Sequence, residues 1–168
     1  VSGIRPSAID TAGGHATGTT GVIAGFGRSG GSVLDYGLKR YGAVSIANCL
    51  FGVSSTTSIC WNFDSPLGPP GTDANTCHAD SGGPLFIDGG AGPVVAGITS
   101  GGTSNDCTPF DNSFDARVSF YAPFIEAAAA GDLGSQECGD VPRVGDPDVE
   151  VFSYSGSLDG AVERAGIR

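Results

Sequence analysis

Methionine is absent from the 168-residue chain, tryptophan occurs once, histidine twice, and charged residues make up only 15% of it, against about 25% in average soluble domains. Basic residues are the scarcest charge: 8 Lys and Arg stand against 18 Asp and Glu, a net charge of -10. A chain this acidic repels polyanions, which excludes nucleic acid as a partner. No apolar run approaches the roughly 18 residues of a membrane helix, so no membrane span is expected. The cysteines include no C-x-x-C pair, and no metal site is expected. No glycine-rich loop of phosphate-binding pattern precedes a helix, so no cofactor is expected either. Asp146, Asp148 and Glu150 lack the spacing of a calcium loop and read as a solvated linker. Position 1 is not Met, and Val1-Ser2-Gly3-Ile4-Arg5-Pro6 has neither a basic start nor a long apolar stretch. The true N-terminus is therefore expected elsewhere.

What is plentiful is turn-forming residue, with 29 Gly and 10 Pro, beside a hydrophobic content of 39% that suffices for a packed core. Such a balance favours short strands and many loops, in about one domain plus a tail. An acidic, Lys-poor chain with five cysteines reads as secreted, extracellular or periplasmic, where disulfides persist. An odd count leaves one cysteine without a partner.

Strands are expected over Thr17 to Gly27, Ala43 to Cys49, Pro84 to Asp88, Val94 to Gly101 and Phe114 to Val118, separated by Gly, Pro, Asn, Asp and Ser clusters. Tyr121 to Ala130 is the one helical stretch, with Pro123 in its first turn and Gly131 as its stop. This order suggests an antiparallel barrel or sandwich over residues 1–131. Residues 132–148 carry Pro142, Pro147 and several acids without period and read as a linker. Val149 to Tyr154 alternates as a strand does, so residues 149–168 read as a tail or the start of an incomplete second β domain.

The chemistry lies in Thr76-Cys77-His78-Ala79-Asp80-Ser81-Gly82-Gly83-Pro84-Leu85. A serine between an aspartate and two glycines, just before a strand, sits on a tight turn whose missing side chains let another chain approach its hydroxyl. Successive N–H groups of such a turn converge on one point and hold an oxyanion, as acyl transfer requires. A plain glycine-rich hairpin turn is the alternative on these residues alone.

With its flanks this segment makes four ordered matches. The segment resembles the nucleophile loop of the trypsin-like, chymotrypsin-fold serine proteases, and Gly25-Phe26-Gly27 is similar to that family's Gly-Trp-Gly. Ala96 to Gly102 resembles the substrate-binding strand, and Phe114 to Val118 with Tyr121, Phe124 and Ile125 resembles the last strand and terminal helix. The resemblance covers about residues 4–130. It implies an all-β fold, the C-terminal six-stranded antiparallel Greek-key barrel with a short C-terminal helix, and a polypeptide substrate.

By the same resemblance Ser81 is the nucleophile, the amides of Ala79 and Ser81 form the oxyanion hole, and Asp80, Gly82 and Gly83 shape the loop. In the family this aspartate is buried against an amino group released on activation; Val1-Ser2-Gly3-Ile4 lacks the usual paired-glycine start, so Val1 is not expected to supply it. Ala79 stands where the family has Gly, at a cost of about 1 to 2 kcal/mol if φ is positive. Cys77 is implied to bond Cys107, and Cys49 to bond Cys60. A third family bridge would need cysteines near Gly21 and Ile87, both absent; Cys138 is left over, with its partner open. Asn75 corresponds to the base of the specificity pocket, with Thr76 and Ser113 on its wall, His78 at its rim, Ser100, Gly101 and Gly102 along the substrate strand, and a neutral substrate residue expected.

The family orders its triad His, Asp, Ser, with the first two in a preceding N-terminal barrel. His15 reads as a surface-loop residue and His78 as a rim residue, so no base is expected in reach of Ser81. Three readings stay open: the nucleophile half of a serine endopeptidase, inactive alone and prone to self-association without its partner barrel; a non-catalytic homologue acting as a protein-binding module; and an unrelated all-β binding module.

Overall fold

A computed structural model describes residues 6–64 and 73–132. The sequence expectations for residues 133–168, including Cys138 and the tail, fall outside the described residues, as does Val1. The chain divides into two compact units after Glu126, and the site lies in the first.

Six strands, β1 (Thr20–Gly25), β2 (Arg40–Ala47), β3 (Ser58–Phe63), β4 (Pro84–Asp88), β5 (Pro93–Gly101) and β6 (Asp111–Arg117), precede the helix α1 (Val118–Asp132). All pairings are antiparallel, in the order β1-β2-β3-β6-β5-β4, and β1 pairs with β4 to close a barrel. Closure removes the free edges that a sheet of this size would otherwise expose.

Period-two alternation decides which side chains point inward. Ile23 of β1, Val44 and Ile46 of β2, and Leu85 and Ile87 of β4 meet Ile59, Trp61 and Ala96 in one core. Each fully buried side chain of this size contributes about 1.5 to 3 kcal/mol. Gly21 and Ile87 are register partners across β1 and β4. A Cβ on Gly21 would lie 2.7 Å from Leu85 Cδ1 and 3.3 Å from Ile87 Cγ1. Core side chains thus fill the room a third disulfide would need.

Four differences from the sequence expectations have physical causes. β3 is not among the expected strands: Ser58, Ile59, Cys60 and Trp61 are all buried, so it lacks alternation, and Cys60 is bonded to Cys49. β6 begins at Asp111, three residues before the expected start, because Asp111, Asn112 and Ser113 are polar yet buried within a hydrogen-bond network. The helix begins at Val118, so Pro123 is inside it and not in its first turn. Gly131 does not stop it, since the helix runs to Asp132, which had been assigned to the linker.

Asp115 is the unusual core residue. It is fully buried, and neither of its carboxylate oxygens has a hydrogen-bond partner among the described residues. Burial pushes its pKa up to about 8; the Thr99 hydroxyl opposes this weakly, without bonding geometry. Gly97 makes room for it, since a Cβ there would lie 2.8 Å from Asp115 Cβ and Oδ2.

Candidate active site

The turn leading into β4 is built on backbone contacts. The Asp80 N–H donates to Cys77 O at 3.1 Å and the Gly83 N–H to Asp80 O at 2.8 Å. The Gly82 N–H donates to Thr99 O at 3.0 Å and the Thr99 N–H to Gly83 O at 2.8 Å, pinning the turn to β5. Gly82 lies at φ +85, a conformation that side chains resist. The disulfide between Cys77 and Cys107, across a separation of 30 residues, ties the same turn to the loop after β5.

Asp80 holds this turn from behind. Its Oδ1 accepts the Gly27 N–H at 2.7 Å and its Oδ2 the Cys77 N–H at 2.9 Å. A Cβ on Gly27 would lie 2.5 to 2.6 Å from the carboxylate atoms of Asp80, so the glycines of Gly25-Phe26-Gly27 are the space Asp80 occupies. Two amides, charge-assisted donors to this carboxylate, take the place of a cationic partner among the described residues.

Ser81 is exposed. Among the described residues, its hydroxyl, its amide and the amide of Ala79 donate no hydrogen bond, while the neighbouring amides of Asp80, Gly82 and Gly83 are all engaged. Ala79 lies at φ +71, so the strain expected of a non-glycine residue is present, worth about 1 to 2 kcal/mol. Ala79→Gly is therefore expected to stabilise the fold by up to about 1 kcal/mol, because relief of strain exceeds the entropic cost of glycine. Urea unfolding measures this, and a lower midpoint for the variant contradicts it.

Neither histidine reaches Ser81. His78 is exposed, and its Nε2 donates to Asn105 O at 2.9 Å. His15 is not the surface-loop side chain expected: its Nε2 lies 2.8 Å from Asp10 Oδ2, and it is only 15% exposed. Asp10 itself is buried beside β5, where its N–H donates to Val95 O. Burial alone would raise the Asp10 pKa, but the Gly13 amide and His15 hold it below the ordinary carboxylate range. Neither residue of this pair lines the cavity beside Ser81.

That cavity, about 210 Å³, is lined by Ser81, Ala79, Thr76, His78 and Ser100 to Gly102, among others. Asn75 and Ser113 do not line it; they stand behind Asp111, which does. Asp111 is only 4% exposed, and sequence reading missed it because it falls in a polar stretch read as loop. Its Oδ1 accepts the Thr103 N–H at 2.6 Å, the Thr103 hydroxyl at 2.9 Å and the Ser104 N–H at 2.8 Å. Its Oδ2 accepts Asn75 Nδ2 at 2.8 Å and Ser113 Oγ at 2.9 Å. Burial pushes its pKa upward, yet the donors from Asn75, Ser104, Thr103 and Ser113 outweigh burial and keep it below the ordinary value. A buried carboxylate thus stands among the residues that line this cavity. A second cavity, about 270 Å³, is lined by Gly27, Arg28, Arg40, Asp73 and Asp80.

A closed six-stranded antiparallel barrel, mostly strand with one terminal helix, and a serine turn braced by an aspartate define the trypsin-like all-β class. The chain belongs to the trypsin family: the family model described as Trypsin matches residues 2–125. No curated protein matches it.

Proposed function

We propose that the chain is the nucleophile-bearing half of a serine-type endopeptidase. The observation that supports this is the exposed Ser81 hydroxyl beside the amides of Ala79 and Ser81, none of which donates a hydrogen bond among the described residues. Ser81 Oγ attacks the peptide carbonyl carbon while its proton passes to a histidine base. The oxygen of the tetrahedral intermediate takes its charge toward the amides of Ala79 and Ser81, each worth about a hundredfold to a thousandfold in rate. The C–N bond then breaks, the amine leaves with that proton, and water releases the acyl group from Ser81.

The base and its aspartate are assigned to an N-terminal barrel preceding this chain, which is inactive by itself on this reading. Two disulfides and the absence of a long apolar helix among the described residues fit a secreted protein. The alternative, a non-catalytic homologue that binds protein partners, is favoured only by the hydrogen bonds of both histidines to groups other than Ser81. The test is hydrolysis of a denatured protein by the chain joined to its preceding barrel. Activity that Ser81→Ala abolishes is expected; equal activity in the variant, or none in either, refutes the peptidase.

A further inference from the structure

Asp115 stands directly behind the strand that pins the Ser81 turn. Its register partners are Ile59 on β3 and Thr99 on β5. Register partners share one face of a sheet, here the barrel interior, where Asp115 and Thr99 are both buried. Among the described residues neither the Asp115 oxygens nor Thr99 Oγ1 has a hydrogen-bond partner, and Trp61 Nε1 is a third such group. The interior positions around the carboxyl present no charge: Ile59 and Trp61 on β3, Leu85 on β4, Gly97 and Thr99 on β5. On its own strand the Arg117 guanidinium donates to Ser55 O and Ser58 O, and Asp111 is occupied by its five donors. Burial therefore holds Asp115 as the neutral acid, and the Thr99 hydroxyl is the one group that acts in favour of its charge.

Thr99 faces both ways. Its side chain lies with Asp115, while both of its backbone groups are committed to the turn, accepting the Gly82 N–H and donating to Gly83 O. The β5–β6 ladder is irregular just beyond it, between Thr99 and Gly101, so Thr99 is the last regular position before a break that lets the strand bend. Gly83 has no room to follow such a bend. A Cβ there would lie 2.8 Å from Ala24 O, 2.9 Å from Asp80 O and 3.7 Å from Thr99 Oγ1. A shift of Thr99 toward the interior therefore lengthens its two hydrogen bonds to the turn instead of carrying the turn along.

We infer that Asp115 is a positioning residue for the Ser81 turn: as a neutral acid it leaves Thr99 in place, and when its proton passes to solvent the bare carboxylate draws the Thr99 hydroxyl inward and loosens the turn. The driving force is the high cost of an ionised carboxylate without a donor in an apolar core, which a charge-assisted hydrogen bond from Thr99 relieves. The consequence for reactivity rests on the nucleophilic role proposed for Ser81. It is an alkaline loss of reactivity that originates inside the barrel, whereas a histidine base only gains competence as pH rises.

The test is an NMR titration of the full chain from pH 6 to 10. The Asp115 carboxyl carbon is followed together with the amide protons of Gly82 and Thr99, the donors of the two hydrogen bonds. Both amides are expected to move upfield with the midpoint of the carboxyl carbon, about 8. Their protection from hydrogen exchange, corrected for the intrinsic pH dependence, is expected to fall at least tenfold, while amides of the β1–β2 ladder keep theirs. Asp115→Asn, neutral and of the same shape, is expected to hold both amides fixed across the range. Amides that stay still while Asp115 titrates, a midpoint that follows His78 instead, a loss of protection shared by the whole barrel, or an unchanged transition in Asp115→Asn overturn the inference. The unsubstituted chain decides the matter even if the variant does not fold. The readout needs no reaction, so the two readings fail separately. A turn that titrates with Asp115 beside an unreactive Ser81 sinks the peptidase alone, and a reactive Ser81 on a turn indifferent to Asp115 sinks this inference alone.

Discussion

The barrel is expected to lose stability steadily as pH rises from about 4 to about 8, and Asp115→Asn to remove most of that loss. The unfolded chain releases the Asp115 proton near the ordinary value of 3.8, while the folded chain holds it to about 8. Across that window the folded state binds a proton that the unfolded state has given up, so raising pH draws the equilibrium toward unfolding. The stabilising effect is fully present below 3.8 and is lost as pH passes through 8. A separation of this size corresponds to something on the order of 5 kcal/mol, a large share of the 5 to 15 kcal/mol typical of a whole domain. Asp10 and Asp111, held below the ordinary value, act in the opposite sense and destabilise the fold only as pH falls below about 4. Urea midpoints from pH 5 to 9 for the two proteins provide the measurement. Parallel profiles would mean that Asp115 does not carry the dependence.

The second large effect is expected at Asp80. Asp80→Ala removes the acceptor of two backbone amides from different segments, Gly27 and Cys77. At about 1.5 to 3 kcal/mol for a hydrogen bond to a charged group, and with partial replacement by water, the loss is about 2 to 4 kcal/mol. The consequence for chemistry exceeds that for stability, because Asp80 lies between the two amides assigned to the oxyanion. With the turn released, Ala79 relaxes from φ +71 and one donor turns away, a loss of about a hundredfold or more in reactivity at Ser81. Asp80→Asn retains one acceptor oxygen and is expected to fall between. Unfolding in urea, combined with the rate of Ser81 modification in the joined protein, checks both parts; a variant with normal reactivity and lowered stability would confine Asp80 to a structural role.

The sequence made some of this legible and hid the rest, for reasons visible in single residues. β4 was read to the residue, because Pro84 opens it and Leu85 and Ile87 alternate inward. The turn before it was readable because Asp80-Ser81-Gly82-Gly83 combines residue types that tight turns demand. β3 was hidden because the Cys60 bond and burial on both faces erase the alternation that signals a strand. The start of β6 was hidden because Asp111, Asn112 and Ser113 resemble a loop, and only the network around Asp111 makes them compatible with burial. The charge in the cavity was hidden for a related reason. Asp111 is 36 positions from Asn75 in sequence, and no local pattern announces that two such residues meet. His15 was misread because its partner, Asp10, gains its place from a bridge between Ile9 and Val95 that is long in sequence.

The nucleophilic role proposed for Ser81 is tested most directly by a fluorophosphonate, which traps an activated serine, applied to the chain joined to the N-terminal barrel that the proposal assigns to it. The modified residue is then mapped by mass spectrometry. A single adduct on Ser81, prevented by Ser81→Ala, is the expected result. No adduct, in protein whose digest still contains Cys77 bonded to Cys107, would contradict the peptidase and leave a folded member of the family that binds protein partners without cutting them.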